Sequence, residues 1–279
     1  MKLNLYFILV LLQALILPGR VSAQGAAAAQ DSLKYSYSTS ISSPSTVSAD
    51  RNGHVYFLDA KRNLVKVDSS GRAALTYSPA KGGRITSIDA WNPMKVLLFY
   101  EDRQEIVLLD RFLRPITSTD FSDYQELSGS IKAAALTSDD GFWLFNESNY
   151  TLSKLDTRLR RTVTETSLNL ILDKARFDIR LLREYQNTVY LLDYNTGIFV
   201  FDNLGNYKKT IPVTGISQIG FQGNELYFVK DGKLNFLDIY TQKQHSIALP
   251  STAKYTSAIV SSNRVYLFTP QQMQVYTWQ

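Results

Sequence analysis

PSTVSADRNGHVYFLDAKRNLVKVDSSG, residues 44–71, holds two short apolar runs, Val55–Leu58 and Leu64–Val67, each closed by an aspartate, Asp59 and Asp68. Turn-forming triplets (RNG, KRN, SSG) stand before, between and after them. Runs of β-branched and aromatic residues bounded by Gly, Asn and Asp are strands of consecutive antiparallel hairpins. A pair of such strands is too small to bury its own apolar faces, so the question becomes how often the unit recurs.

It occurs six times. The second run returns as IVLLD ending at Asp110, LSKLD at Asp156, IFVFD at Asp202, LNFLD at Asp238 and MQVYT at Thr277. A first run lies upstream of each: LLFY, FWLF, VYLL, LYFV and VYLF follow the VYFL of the first unit. Periods of about 40 residues mean stacked supersecondary units. Flanking each pair are one more strand upstream (TVSAD, ITSIDAW, IKAAALT, IRLLRE, ISQIGF, YTSAIVS) and a more polar one downstream (RAALTYS, RPITSTD, RRTVTET, YKKTIPV, HSIALP). The sixth unit ends with the chain and lacks its fourth strand. An unpartnered polar strand at 33–41 can supply it.

Four antiparallel strands per unit, six units and an N-terminal strand completing the last sheet predict an all-β, six-bladed propeller over 33–279. Apolar content supports this. Sheets covered on both faces carry unbroken apolar inner strands, and VYFL, FWLF, VYLL and LYFV do not alternate. The first unit resembles an NHL-type repeat through Pro44, Val47, Asp50, Gly53, Val55-Tyr56, Asp59, Asp68 and Gly71, and Asp202 with Gly205 repeats its closing motif. The other units depart from that pattern, so the resemblance is to the six-bladed, TolB-like superfamily, which includes sugar lactonases, binding proteins and envelope scaffolds.

Residues 1–23 fall outside the repeats. Lys2, the apolar stretch 5–17, the Pro18-Gly19 break and Val21-Ser22-Ala23 have the layout of a cleaved export signal. Residues 24–32 (QGAAAAQDS) then form a small-residue linker. The chain has no cysteine, which excludes both disulfides and attachment of lipid through cysteine. An exported chain without disulfides fits a bacterial periplasm. The triplets at Asn146 and Asn149 match a glycosylation pattern by chance in this Ser/Thr-rich chain. Loss of Lys2 and Arg20 with the leader lowers the net charge from +5 to +3, too mild for a nucleic-acid protein.

Catalytic signals are sparse. The resemblance implies that a metal-dependent lactonase would place carboxylates and amides at the first residues of the inner strands. Those positions are Ser45, Arg84, Ser130, Asp178, Gly215 and Lys254, with one carboxylate and two cations. A hard cation needs converging oxygens, so no metal, cofactor or catalytic residue is assigned. His54 and His245 fall in different blades without zinc spacing. Trp91, before an Asn-Pro turn, is a candidate sugar-stacking residue.

Two surface features remain. Each outer strand opens with basic residues, giving a rim of Arg72, Arg114, Arg160, Arg161, Lys208 and Lys209 that either guards strand edges or meets an anionic surface. Connections from one blade to the next share a face with the central hairpin tips. Most are short, Gly215 nearly sufficing between blades four and five, but 121–129 (FSDYQELSG) and 169–178 (NLILDKARFD) are long. Longer connections are often functional. The second is predicted to form about two helical turns with one apolar side, packed on its own blades or forming with Tyr124, Glu126, Lys174, Arg176 and Phe177 a partner surface. The expectation is a monomeric, non-enzymatic binding or scaffold protein of the envelope, with no transmembrane segment; a metal-dependent hydrolase or a carbohydrate-binding propeller are the alternatives.

Overall fold

The computed structural model describes residues 33–43, 46–68 and 70–278; the expected leader and linker lie outside them. Strand β1 (Leu33–Ser40) comes first. Blade one follows as β2 (Val47–Ala49), β3 (Val55–Leu58), β4 (Leu64–Val67) and β5 (Ala73–Tyr77). Blade two is β6 (Ile85–Asp89), β7 (Lys95–Tyr100), β8 (Glu105–Asp110) and β9 (Pro115–Asp120). Blade three is β10 (Ile131–Leu136), β11 (Phe142–Asn146), β12 (Thr151–Asp156) and β13 (Arg161–Ser167); blade four is β14 (Ile179–Tyr185), β15 (Thr188–Asp193), β16 (Gly197–Asp202) and β17 (Tyr207–Ile211). Blade five is β18 (Gly220–Gln222), β19 (Glu225–Lys230), β20 (Lys233–Asp238) and β21 (Gln244–Ala248). Blade six is β22 (Ser257–Val260), β23 (Arg264–Phe268) and β24 (Gln272–Trp278), with β1 as its outer strand.

The continuous apolar runs divide by strand periodicity, since successive side chains point to opposite faces of a sheet. Tyr56 and Leu58 pack with Ile88 and Leu98 of blade two, whereas Val55 and Phe57 pack with Tyr266 and Phe268 of blade six. Leu97 and Phe99 likewise turn to Phe142 and Leu144 of blade three. The same division continues through blades four to six, so six apolar clusters fill the six spaces between neighbours and the ring closes. Outer strands are wet on one side: β13 alternates exposed and half-buried residues along its length.

Closure takes the predicted form. β1 pairs antiparallel with β24 from Leu33↔Trp278 to Ser40↔Gln272, and Ile41 N–H extends the ladder to the Gln271 carbonyl at 3.0 Å.

The aspartates that end the third strands of blades one to five do one local job. Asp110 Oδ1 accepts the Phe112 and Arg114 N–H groups at 2.8 and 2.9 Å, and Asp202 Oδ1 accepts those of Leu204 and Asn206 at 3.0 and 2.9 Å. Asp68 repeats this with Ser70 and Arg72; Asp156 and Asp238 take N–H groups two and three residues on. A carboxylate that satisfies backbone donors two residues ahead fixes the turn. Thr277 stands where the sixth aspartate would. Three of these turns also bond to the blade before: Lys66 Nζ donates to Arg111 O at 3.2 Å, Thr166 Oγ1 to Gly205 O at 2.8 Å, and the Tyr37 hydroxyl to Gly71 O. Gly71 and Gly205 sit at φ 83°, and a Cβ at Gly205 would lie 2.9 Å from the Thr164 and Thr166 side chains.

Two expectations need correction. Residues 169–178 form no helix but two consecutive single turns, closed by Leu172 N–H to Leu168 O at 2.9 Å and Phe177 N–H to Asp173 O at 2.8 Å. Leu168 and Leu172 are buried and pin each turn to blades three and four before a second can form. The join between blades four and five is not short either. It runs over 212–219 because Ile216 and Ile219 bury in the inter-blade core and the Gln218 amide donates to Val47 O at 3.0 Å, leaving only Gly220–Gln222 to pair with β19. The longest joins are still 121–130 and 168–178.

Deleting residues 24–42 removes β1 and exposes the free edge of β24. Thermal unfolding of this truncation is expected at a markedly lower temperature, with aggregation seen by light scattering. The turn aspartates also set an acid limit. Burial raises the Asp202 carboxyl, but the Asn206 side chain and N–H, Lys208 and the Leu204 N–H outweigh it and hold it at about 2. The Leu159 N–H above all lowers Asp156, and the Thr241 N–H lowers Asp238. Stability from a depressed carboxyl is present above the unfolded value near 3.9 and lost as pH falls through the folded value. Urea midpoints are expected to hold from neutral pH to about 4 and fall steadily toward about 2.

Candidate functional site

The inner strands carry few charges, and those near the channel are paired. Asp89 Oδ1 receives Arg183 Nη1 from blade four at 2.7 Å, while its Oδ2 accepts Leu136 N–H from blade three at 3.0 Å. Arg183 Nη2 also donates to Ile88 O at 3.1 Å, and Ser48 Oγ of blade one accepts Ala90 N–H at 3.1 Å. Glu184 points to blade three, accepting Trp143 Nε1–H at 2.7 Å and Ser138 N–H at 3.1 Å. These groups tie four blades together. Sequence reading missed them, although an Arg-Glu pair inside the apolar strand IRLLRE was the available signal.

One channel mouth is different. Joins and central hairpin tips share a face, here the join face, and on it blades one to four surround a cavity of about 450 Å³. Arg62, Arg84, Lys132 and Arg180 line it, against Glu101 and Asp178. Both carboxylates are engaged: Lys132 Nζ lies 2.6 Å from Glu101 Oε1, and Arg180 Nη2 holds Asp178 Oδ2. The Arg84 N–H is held by the Asp102 carboxylate at 3.0 Å, which fixes the backbone and leaves the side chain free. The Arg62 and Arg84 guanidiniums have no hydrogen-bond or ion-pair partner among the described residues.

Of the six positions singled out as a metal mouth, Arg84 and Asp178 line this cavity; Ser130, Gly215 and Lys254 do not, and Ser45 lies outside the described residues. No group of three or more His, Cys, Asp or Glu able to hold a metal ion occurs among the described residues. The free donors are cationic, a set that suits an anion.

The opposite mouth holds a cavity of about 250 Å³ beside Arg51, Asp89, Trp91 and Glu184. Trp91 is half-buried, its ring edge-on to Tyr185 at 4.9 Å, so it is less open than its place before a turn suggests. His54 Nδ1 lies 2.9 Å from Asp50 Oδ2, which also accepts the Tyr56 hydroxyl at 2.9 Å; His245 stacks on Phe236 at 4.5 Å. Asn146 is buried and donates to Ser128 O at 2.9 Å, so a glycan cannot occupy it.

The expected partner surface separates into two groups. Phe177 is half-buried, edge-on to Tyr150 at 5.6 Å and Phe145 at 6.3 Å, with Lys174 Nζ 5.0 Å above the Tyr150 ring and Arg176 paired to Asp173 at 2.9 Å. Tyr124 and Glu126 instead meet the start of β13: the Arg160 guanidinium lies 5.6 Å above the Tyr124 ring, and Glu126 accepts Thr162 N–H. No hydrogen bond, ion pair or ring contact joins the groups among the described residues. The basic rim falls at the third-to-fourth strand turns, at the strand ends away from the central hairpin tips, and in blade three the join 121–130 reaches it. Arg114 pairs with Asp110 at 2.6 Å and Lys208 with Asp202 at 3.2 Å, while Arg161 and Lys209 are exposed.

No protein-family model and no curated protein matches the sequence. Solved structures do match by fold. A catalytically inactive virginiamycin B lyase from Staphylococcus aureus, solved with quinupristin, aligns at TM-score 0.59 and 10% identity over 89% of this chain and 99% of its own. A streptogramin B lyase aligns at 0.58 and 12% identity over 87% and 98%, and BamB from Moraxella catarrhalis at 0.50 and 12% over 88% and 100%. At such identities the likeness is one of fold. The chain is a six-bladed propeller, in keeping with the TolB-like, NHL-like resemblance of its repeats.

Replacing Arg183 by Met leaves the buried Asp89 carboxylate without its counter-charge. Urea unfolding is expected to show a loss of about 3–5 kcal/mol, partly recovered when Asp89→Asn is added, since the amide oxygen still accepts a backbone N–H.

Proposed function

We propose that this is a non-enzymatic binding protein of the bacterial envelope, which holds an acidic segment of another protein in the cationic cavity on its join face. The observation that carries this reading is the pair of unpartnered guanidiniums, Arg62 and Arg84, on a cavity whose carboxylates are already neutralised. Guanidinium forks bind carboxylates bidentately, and about 450 Å³ lies within the usual range for a binding pocket of about 300–1,000 Å³. Leu170, fully exposed on the same face, and Lys174 offer a partner further contact. Export rests on the leader-like residues 1–23, and the absence of cysteine supports the periplasm. A metal-dependent hydrolase needs free oxygens converging on a cation. Glu101 and Asp178 are each held by a cation instead.

The test is titration calorimetry with a glutamate-rich peptide and its glutamine-rich counterpart. Binding is expected for the acidic peptide alone, and Arg62→Glu with Arg84→Glu should weaken it at least about tenfold without moving the melting temperature. Equal binding by the double variant counts against the cavity. Stoichiometric calcium or zinc surviving dialysis, with stability lost on chelation, counts in favour of the hydrolase.

A further inference from the structure

Four successive blades expose a large apolar or aromatic residue in the same turn. Phe112 is 49% exposed, Leu159 57%, Leu204 67% and Tyr240 67%. Each follows the aspartate that closes the third strand, by two residues in blades two, four and five and by three in blade three. Each backbone N–H is held by that carboxylate, at 2.8, 2.9, 3.0 and 3.0 Å in chain order. The same bond that builds the turn therefore leaves Phe112, Leu159 and Leu204 out in solvent, while the exposed Tyr240 ring leans to blade four, its hydroxyl donating to Gln186 Oε1 at 2.8 Å. Single exposed apolar residues are ordinary on any surface. Recurrence in the same turn of four successive blades is not.

Antiparallel order puts all four tips at the strand ends away from the central hairpin tips, where in blade three Arg160 and Thr162 also meet Tyr124 and Glu126 of the join 121–130. Cations stand beside them. Phe112 lies between the guanidiniums of Arg111 and Arg114, at 4.6 and 5.1 Å from its ring centre. Leu159 sits between Arg158 and Arg160, with Arg161 next, and Lys208-Lys209 follow Leu204. From each aspartate to the first residues of the outer strand, the four turns carry eight basic side chains against four carboxylates, and those carboxylates are occupied by backbone donors. Edge protection explains Lys and Arg there. It gives no reason for the apolar residue between them.

We propose that this arc of apolar tips flanked by cations is a docking surface for an anionic lipid bilayer. Apolar side chains entering the headgroup boundary while Arg and Lys meet lipid phosphates are the two forces that seat proteins on membranes. An acidic protein would satisfy the cations but leave isolated tips, spread over four blades, without a continuous apolar groove to enter. The inference is independent of the cavity reading, which concerns the other face.

The experiment is flotation of the full chain with vesicles of phosphatidylcholine alone and of phosphatidylcholine with phosphatidylglycerol. Binding is expected only with phosphatidylglycerol, and it should weaken steeply between low and physiological salt, where charges are screened over about 8 Å. Arg161→Gln with Lys209→Gln, and separately Phe112→Ser with Leu204→Ser, should each reduce binding about tenfold, with circular dichroism confirming the fold. Because the chain has no cysteine, Leu204→Cys and Leu170→Cys can each carry one polarity-sensitive fluorophore. A blue shift on vesicles is expected at 204 and not at 170. Equal shifts at both sites, a shift at 170 alone, or apolar variants that float like the parent protein overturn the proposal, as does binding that ignores phosphatidylglycerol.

Discussion

A four-stranded sheet whose middle strands are apolar on both faces cannot stand in water. Every blade here depends on a neighbour at each side, and the demand is met only when the last blade meets the first. Val55 and Phe57 find their cover in Tyr266 and Phe268, more than two hundred residues away in sequence. That contact needs β1 against β24, so the strand contributed by the start of the repeat region stabilises every other interface. The aspartate turns act within this constraint. They end each third strand, reverse the chain, and lay the turn against the blade before it.

Charge is handled differently along the axis and at its mouth. Arg183 and Asp89 are buried and bonded to each other and to the backbone of neighbouring blades, an arrangement that organises structure. At the join face Arg62 and Arg84 are exposed and unpartnered beside a cavity whose acids are spoken for. The same residue types thus serve opposite purposes because one set is desolvated and paired, and the other is left with unused donors facing water.

The two proposed surfaces are built from different turns. Joins and central tips build the cavity and carry Leu170; the third-to-fourth strand turns carry the apolar tips and the basic rim. A propeller that docks on a bilayer by one face leaves the other free for a protein partner, so the two proposed surfaces are compatible in one molecule.

The strand period, the turn aspartates and the count of six were legible in the sequence because each depends on residues within a few positions of one another. Asp110 and the N–H groups it captures lie in a single pentapeptide, and VYFL declares both of its faces by having no polar residue. The basic residues of the rim stand together in the sequence for the same reason, although Phe112 and Leu204 beside them stand out from core residues of the same kind only in the folded chain. The tertiary structure decided the rest. Residues 169–178 have the composition of a short helix, yet burial of Leu168 and Leu172 between two blades ends each turn after one cycle. Arg62, Arg84, Lys132 and Asp178 come from four blades, and nothing in their spacing says that they share a cavity. Local hydrogen bonds are written in neighbouring residues, whereas a site assembled from separate joins exists only once the ring has closed.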